Sequence, residues 1–364
     1  MLQLKNNFFF FSKYDSLSAS CRERVICYIN LLKKKKINTY LYPLINNKLF
    51  YERIVLEKSH YFLTLFAIIK RILIILFIRK NKNIVIISGG ELVPYFPPIL
   101  ESFLFLKGVK YILDFDDAVF HNYENSNNRL TKFLLKNKFK VAFKNSHAVF
   151  AGNKYIYNYA LENGARKVIY LPTTIDFKKY EINTIKRISN LKKKDSFKLV
   201  WIGSPSTTKY LNSIITPLKY LINNYNISLR VIGSKNFSFN SSKVEIFDWN
   251  EKLQYKYISE CDVGLMPLNN GSWEKGKCGY KIIQYMYCSI PVIVSPVGAN
   301  LDIVRNQFNG LFANNNSEWI KSVLTLKNNK NLYNSIKENG KKEVERRYSF
   351  KTRSNSFLQG IDSE

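Results

Sequence analysis

Residues 262–300 read DVGLMPLNNGSWEKGKCGYKIIQYMYCSIPVIVSPVGAN. Val263–Met266 is a short apolar run bounded by turn residues, the pattern of a buried strand. It opens into a loop carrying Gly271, Gly276 and Gly279, after which Tyr280–Tyr287 reads as a helix. Pro291–Ser295 reads as the next strand and leads into Pro296-Val297-Gly298-Ala299-Asn300. Continuous apolar strands separated by helices mark a parallel sheet covered on both faces. Open sheets of this kind bind ligands beyond the carboxyl ends of their strands, so these loops are the candidate site. Lys281 lies near the start of its helix, where its charge adds to that of the amide dipole, and Gln284 shares its face three residues on. An anionic phosphate would be neutralised there. A polar helix face between two ordinary turns would use the same residues.

The pattern extends outward on both sides. In the second half, Lys198–Ile202, Leu229–Ile232 and Val244–Phe247 read as further strands, and in the first half so do Ile84–Ser88, Lys110–Asp114, Ala148–Ala151 and Lys167–Leu171. Two such series predict an α/β protein of two doubly wound domains. Thr173 to Ser196, with its Lys192-Lys193-Lys194-Asp195 run, reads as the linker. The expected division is an N-terminal domain over 1–180, a C-terminal domain over 181–345, and a tail over 346–364 that packs back on the first. After Lys198–Ile202 comes Gly203-Ser204-Pro205-Ser206-Thr207-Thr208-Lys209. Gly203 permits close backbone approach, Thr207 or Thr208 suits a helix cap, and Lys209 adds charge, which together fit a diphosphate at a helix N-terminus. A capped strand-to-helix turn without a ligand needs the same residues. Trp249, after the third strand, reads either as a neighbour of a nucleotide base or as a buried aromatic.

In the first half, Lys110–Phe120 (KYILDFDDAVF) gathers Asp114, Asp116 and Asp117 at a strand end. Three carboxylates so close repel, and a nearby cation would relieve them. They read as a catalytic or acceptor-orienting group, or as a helix N-cap cluster. Asp114-Phe115-Asp116 also spells the DxD that holds a divalent cation in some metal-dependent enzymes, but the well-formed second domain argues for a metal-free plan. Ser20-Cys21-Arg22-Glu23-Arg24 resembles an S-x-R-x-R element, which implies that Arg22 and Arg24 bind an anionic acceptor or phosphate; a solvated basic helix face is the other reading. Tyr61 to Lys80 is apolar but broken by Lys70 and Arg71, and neither half reaches the roughly 20 residues of a spanning helix. It reads as a buried or amphipathic helix, or as a monotopic helix facing a membrane.

Lysine and arginine total 56 against 27 acids, a formal charge of +29, and the chain of 364 residues is 46% hydrophobic. The balance implies an anionic partner, and the apolar content supports packed cores. Cys21, Cys27, Cys261, Cys278 and Cys288 form no CxxC pair, and His60, His121 and His147 form no HExxH. Reduced thiols in a cytoplasm are therefore expected, and a zinc site is not.

The run GKCGYKIIQYMYCSIPVIVSPVGAN (276–300) resembles the donor-site signature of glycosyltransferase family 4, of the GT-B fold, and WIGSPSTTKYL (201–211) is similar to its phosphate loop in a bacterial polysaccharide-type subgroup. PVGAN, NQFNGLFA, VERRYSF and, in the first half, Glu91–Glu101 (ELVPYFPPILE) are similar too. The wider family carries two glutamates around this helix, whereas Gly276 and Gln284 stand at the matching positions. The resemblance implies two Rossmann-like domains facing a central cleft. It also implies a retaining transfer from a nucleotide-diphospho-sugar to a glycan or lipid-linked glycan, in capsule, exopolysaccharide or lipopolysaccharide assembly. Gly203, Ser204, Lys209, Trp249, Lys281, Gln284, Gly298 and Asn300 would bind the donor, and Asp116 with Asp117 would be catalytic. No cofactor, metal or nucleic acid is expected. The place of action would be the cytoplasm, with contact at the cytoplasmic face of the inner membrane. Other readings are a GT-B-type sugar-nucleotide epimerase, which needs no acceptor, and a basic nucleic-acid-binding protein, for which no recognition motif appears.

Overall fold

The computed structural model describes residues 7–54, 60–80, 83–177 and 196–361. The linker expected at Thr173 to Ser196 lies largely outside them. Two compact units emerge. The first comprises Met1–Thr173, Gly276–Cys278 and Arg353–Glu364, and the second Thr174–Lys275 and Gly279–Thr352.

The sheet of the first unit contains β1 (Asn7–Tyr14), β2 (Thr39–Ile45), β3 (Asn83–Ser88), β4 (Lys110–Phe115), β5 (Ala148–Ala151) and β6 (Val168–Tyr170), all parallel in the order β2-β1-β3-β4-β5-β6. β4 and β5 are buried almost throughout, as strands covered on both faces must be. Two strands escaped the sequence reading. β1 (NFFFFSKY) carries an unbroken apolar run, Phe8–Phe11, that the sequence reading passed over, and β2 (TYLYPLI) carries Pro43, which a sheet tolerates at an edge, where β2 lies. The last helix, Phe350–Ile361, sends Phe357 into this unit, where it stacks on Tyr28 at 4.1 Å and meets Phe150 at 5.4 Å.

The second unit holds β7 (Phe197–Ile202), β8 (Ile227–Ile232), β9 (Val244–Phe247), β10 (Val263–Met266), β11 (Val292–Val294) and β12 (Leu311–Phe312), parallel in the order β12-β11-β10-β7-β8-β9. Counted from β7 this is the doubly wound order 3-2-1-4-5-6 read backwards, with its switch point between β7 and β10. Side chains alternate across the strand: Val200 and Ile202 join one apolar layer, Leu199 and Trp201 the other. The two-residue β12 was too short to read from sequence.

Pairing of β7 with β10 ends at Val200–Gly264, so the strands diverge beyond it. The N–H of Ile202 then donates to the hydroxyl of Tyr285, at 2.9 Å. Tyr285 belongs to the helix Tyr280–Tyr287 and is fully buried. Its ring lies against Gly264, where an added Cβ would come within 2.4 Å of Cγ. Tyr285→Phe is expected to leave the Ile202 amide without an acceptor and to cost about 1–3 kcal/mol. A lower urea midpoint at unchanged slope is the expected result.

Candidate functional site

The carboxyl edge of the second sheet gathers the candidate residues of that unit. Gly203 follows β7 directly, and its amide donates to Ile232 O at 2.9 Å, so the turn starts tied to β8. A side chain at Gly203 would strike the Trp201 ring at 2.3 Å. Ser204 precedes a short 3₁₀ turn, Pro205–Thr207, and its carbonyl accepts from the Thr207 amide and hydroxyl, each at 2.9 Å. Ser204 and Ser206 hydroxyls meet at 2.9 Å. Of Thr207 and Thr208, either of which suits a helix cap, Thr207 occupies the cap position of the next helix, but its side chain makes no cap bond. Thr207 turns back to Ser204, and the buried Thr208 hydroxyl bonds that of Ser234. Lys209 is exposed and lies over the Tyr210 ring at 5.1 Å.

Gly233 ends β8 at φ +85°, and an added Cβ there would stand 2.5 Å from Gly203 O and 3.1 Å from Trp249 Cβ. Only glycine combines this conformation with so close an approach. The turns after β7, β8 and β9 are thereby brought together. Trp249 is half-buried, and its Nε1 donates to Gln254 Oε1 at 3.2 Å.

Lys281 brings the fourth element. Its Nζ lies 4.5 Å from the centre of the Trp201 ring, beneath Gly203, a cation–π contact. Lys281 is half-buried, but Gln284 is not at the surface at all. Its Nε2 donates to Tyr255 Oη at 2.9 Å and to Gln254 Oε1 at 3.4 Å. Gln284 therefore stands behind Gln254, which holds Trp249.

The loops after β10 and β11 complete the edge. Buried Asn300 donates to Ser295 O at 2.8 Å, and Ser295 Oγ accepts from the Leu268 amide at 3.0 Å. Gly298 lies against the Lys275 backbone. Glu274, which matches no expected position, is buried and accepts from Tyr210 Oη at 2.7 Å. Two-residue separation from the expected position hid it from a spacing argument, and no sequence signal pairs it with Tyr210.

The first unit disperses its candidates. Arg24 is interior: its guanidinium pairs with Asp114, donates to Leu171 O at 2.8 Å and lies 3.3 Å from Thr173 Oγ1. Burial opposes its charge, but the Asp114 carboxylate outweighs burial and raises the arginine's pKa above its ordinary value. Arg22, on the same π-helical stretch Cys21–Ile26, donates to Ser16 O and Leu17 O, each at 2.8 Å. Neither arginine forms the solvated face that was one reading, and Asp114 and Arg24 supply each other's counter-charge. β4 ends at Phe115, so Asp114 and Asp116 do not share a strand face. Asp116 and Asp117 stand half-buried on the following bend and cap no helix; Phe120 occupies the cap position of the next one. Asp117 Oδ1 lies 3.7 Å from Lys277 Nζ, and Asp116 O accepts from Cys278 Sγ at 2.7 Å.

Residues 182–343 match the family described as "Glycosyl transferases group 1". That stretch, under half of the chain, is similar to this family. A search of curated protein sequences finds no match. Among solved structures, the chain is similar to Anabaena HepE in complex with UDP and glucose, at 13% identity and a TM-score of 0.67, covering 98% of this chain and 99% of that one. Sucrose-phosphate synthase from Thermosynechococcus elongatus is similar at 11% identity and a TM-score of 0.70, over 97% and 98%. A glycosyltransferase from Rickettsia africae is similar at 15% identity and 0.66, over 98% and 97%. The two parallel six-stranded sheets with their flanking helices are thus the GT-B fold, and the edge built from Gly203, Gly233, Trp249 and Lys281 falls within the matched glycosyltransferase domain.

Removing one member of a buried ion pair strands the other. Arg24→Ala is expected to destabilise the first unit by about 3–5 kcal/mol, seen as a lower unfolding temperature in calorimetry. The double change Arg24→Met with Asp114→Leu should recover most of the loss.

Proposed function

We propose that the protein moves a sugar from a nucleotide-diphospho-sugar to a glycan or lipid-linked glycan acceptor, as a family 4-like enzyme, with retention of anomeric configuration. The observation that carries this reading is the meeting of the Gly203 turn, Gly233 and Lys281 at the β7/β10 switch point. A diphosphate there would face backbone amides, serine and threonine hydroxyls, and the charges of Lys281 and Lys209. These groups would stabilise the leaving nucleoside diphosphate, whose charge grows in the transition state. Trp249, steadied by Gln254 and through it by Gln284, offers a ring face for the nucleotide base. Asn300, Ser295 and Gly298 shape the far loop, and Glu274 presents a carboxylate beside it. No metal is assigned to the donor.

Asp116 is proposed to orient or deprotonate the acceptor hydroxyl, with Asp117 beside it. HepE was crystallised with UDP and with UDP-glucose, which supports a uridine-nucleotide donor in this reading. Assembly of bacterial capsule, exopolysaccharide or lipopolysaccharide is the proposed setting, on the cytoplasmic face of the inner membrane.

A panel of nucleotide sugars tested by thermal shift identifies the donor, since a bound ligand raises apparent stability. Lys281→Ala is expected to cut kcat by roughly 10²–10³-fold, the scale seen when one stabiliser of developing charge is removed, while its unfolding curve stays that of the parent. Undiminished turnover would remove Lys281 from the donor site. Asp116→Asn is expected to lower transfer by roughly 10²–10⁴-fold while the donor's thermal shift persists. Full transfer by this variant excludes Asp116 as base.

A further inference from the structure

The helix Tyr61–Phe77 of the first unit is folded inside out for a protein in water. Its arginine points inward and its aromatic residues point outward. Arg71 is buried, and its guanidinium donates to Leu92 O at 2.8 Å, and to Ser12 O and Tyr42 O at 2.6 Å each. Burial lowers its pKa to about 9. On the other side Phe62 is 89% exposed, Phe66 67% and Phe77 80%, with Tyr61, Leu65 and Leu73 also open. A scattered exposed leucine needs no explanation, but a run of this size along one helix marks an interaction surface. The surface continues beyond the helix. Lys107 donates to Leu76 O at 2.8 Å, which sets the end of the helix Ile99–Leu106, with Phe105 and Leu106, beside the end of Tyr61–Phe77, and Leu106 is 82% exposed.

Cations border the patch. Lys70, Arg79 and Lys80 are exposed, and residues 61–80 contain no acid. Lys70 and Arg79 also line an open groove of about 480 Å³ whose other walls include Phe9, Leu73, Ile74 and Phe77. No helix among the described residues is long and apolar enough to cross a membrane. We propose that Tyr61–Phe77, together with Phe105 and Leu106, lies in the interface of an anionic phospholipid bilayer. The outward aromatic and aliphatic side chains enter the acyl boundary, and Lys70, Arg79 and Lys80 meet the headgroup phosphates. An apolar face rimmed by lysine and arginine has this chemistry. A second copy of the chain fits less well, because a two-fold contact would lay each patch on its own equivalent and bring like charges together.

The inference deepens the inner-membrane placement proposed above and rests on that placement, not on the transfer chemistry. Its test uses the full chain and vesicles of phosphatidylglycerol with phosphatidylethanolamine, alongside vesicles of phosphatidylcholine alone. Sedimentation should carry the protein with the anionic vesicles and at least tenfold less with the neutral ones. The variant Phe62→Ser/Phe66→Ser/Phe77→Ser should lose at least tenfold of the binding while keeping the parent's unfolding curve and donor-induced thermal shift. Lys70→Glu/Arg79→Glu/Lys80→Glu should lose binding in the same way. Leu130→Ser/Phe133→Ser, on another exposed apolar helix, should bind as the parent does. Absence of vesicle binding by the parent overturns the proposal. So does undiminished binding by the aromatic variant, or a dimer that this variant dissolves in place of any vesicle binding. Absence of docking by the parent, with its sugar transfer to a soluble acceptor intact, would reject this surface and leave the transferase reading standing.

Discussion

The hydrogen bond from the Ile202 amide to the Tyr285 hydroxyl sets the geometry of the second unit. A parallel sheet that reverses its winding must let a pair of neighbouring strands diverge, and the divergence leaves backbone donors without a ladder partner. Here the orphan lies one residue before Gly203. The side chain that takes it comes from the helix that also carries Lys281 and Gln284. One contact thus closes the crevice at its floor and fixes the spacing of its walls. Trp201 makes the same link a second time, with its ring beneath Gly203 and under the Lys281 ammonium.

The α/β class and most of the sheet were legible because parallel strands covered on both faces leave unbroken apolar runs. β3 to β11 all sit where such runs stand, with shifts of at most two residues at their ends. β2 and β12 lacked the signal for local reasons, an edge proline and a length of two, whereas β1 carries such a run, Phe8–Phe11, and was missed. The candidate site was legible as a set of loops, since each follows a strand's carboxyl end. Its internal wiring was not. Lys281 and Gln284, three apart, lie near one another on the helix, but tertiary packing leaves one half-open over Trp201 and buries the other against Tyr255.

Arginine shows the limit most clearly. Arg22 and Arg24 read either as anion binders or as a solvated basic face, and Arg71 as a break in an apolar stretch; all three are buried. Each is kept inside by oxygen atoms of other residues, and for two of them these come from distant stretches of the chain: Asp114 and Leu171 for Arg24, Leu92, Ser12 and Tyr42 for Arg71. The planar guanidinium, with five donors in a fixed fork, suits convergent carbonyls in a way an ammonium does not. Such partnerships join residues up to 149 positions apart, and no local pattern encodes them.

Phe357 reaches Tyr28 and Phe150 from the far end of the chain. The first unit is therefore discontinuous in sequence, finished only by the final dozen residues and by the tripeptide Gly276–Cys278. During synthesis its core stays open on one side until the helix Phe350–Ile361 has emerged. Nor is the amino-terminal half an exchangeable module: a chimera that swaps it alone would seat a foreign aromatic, or none, between those two rings.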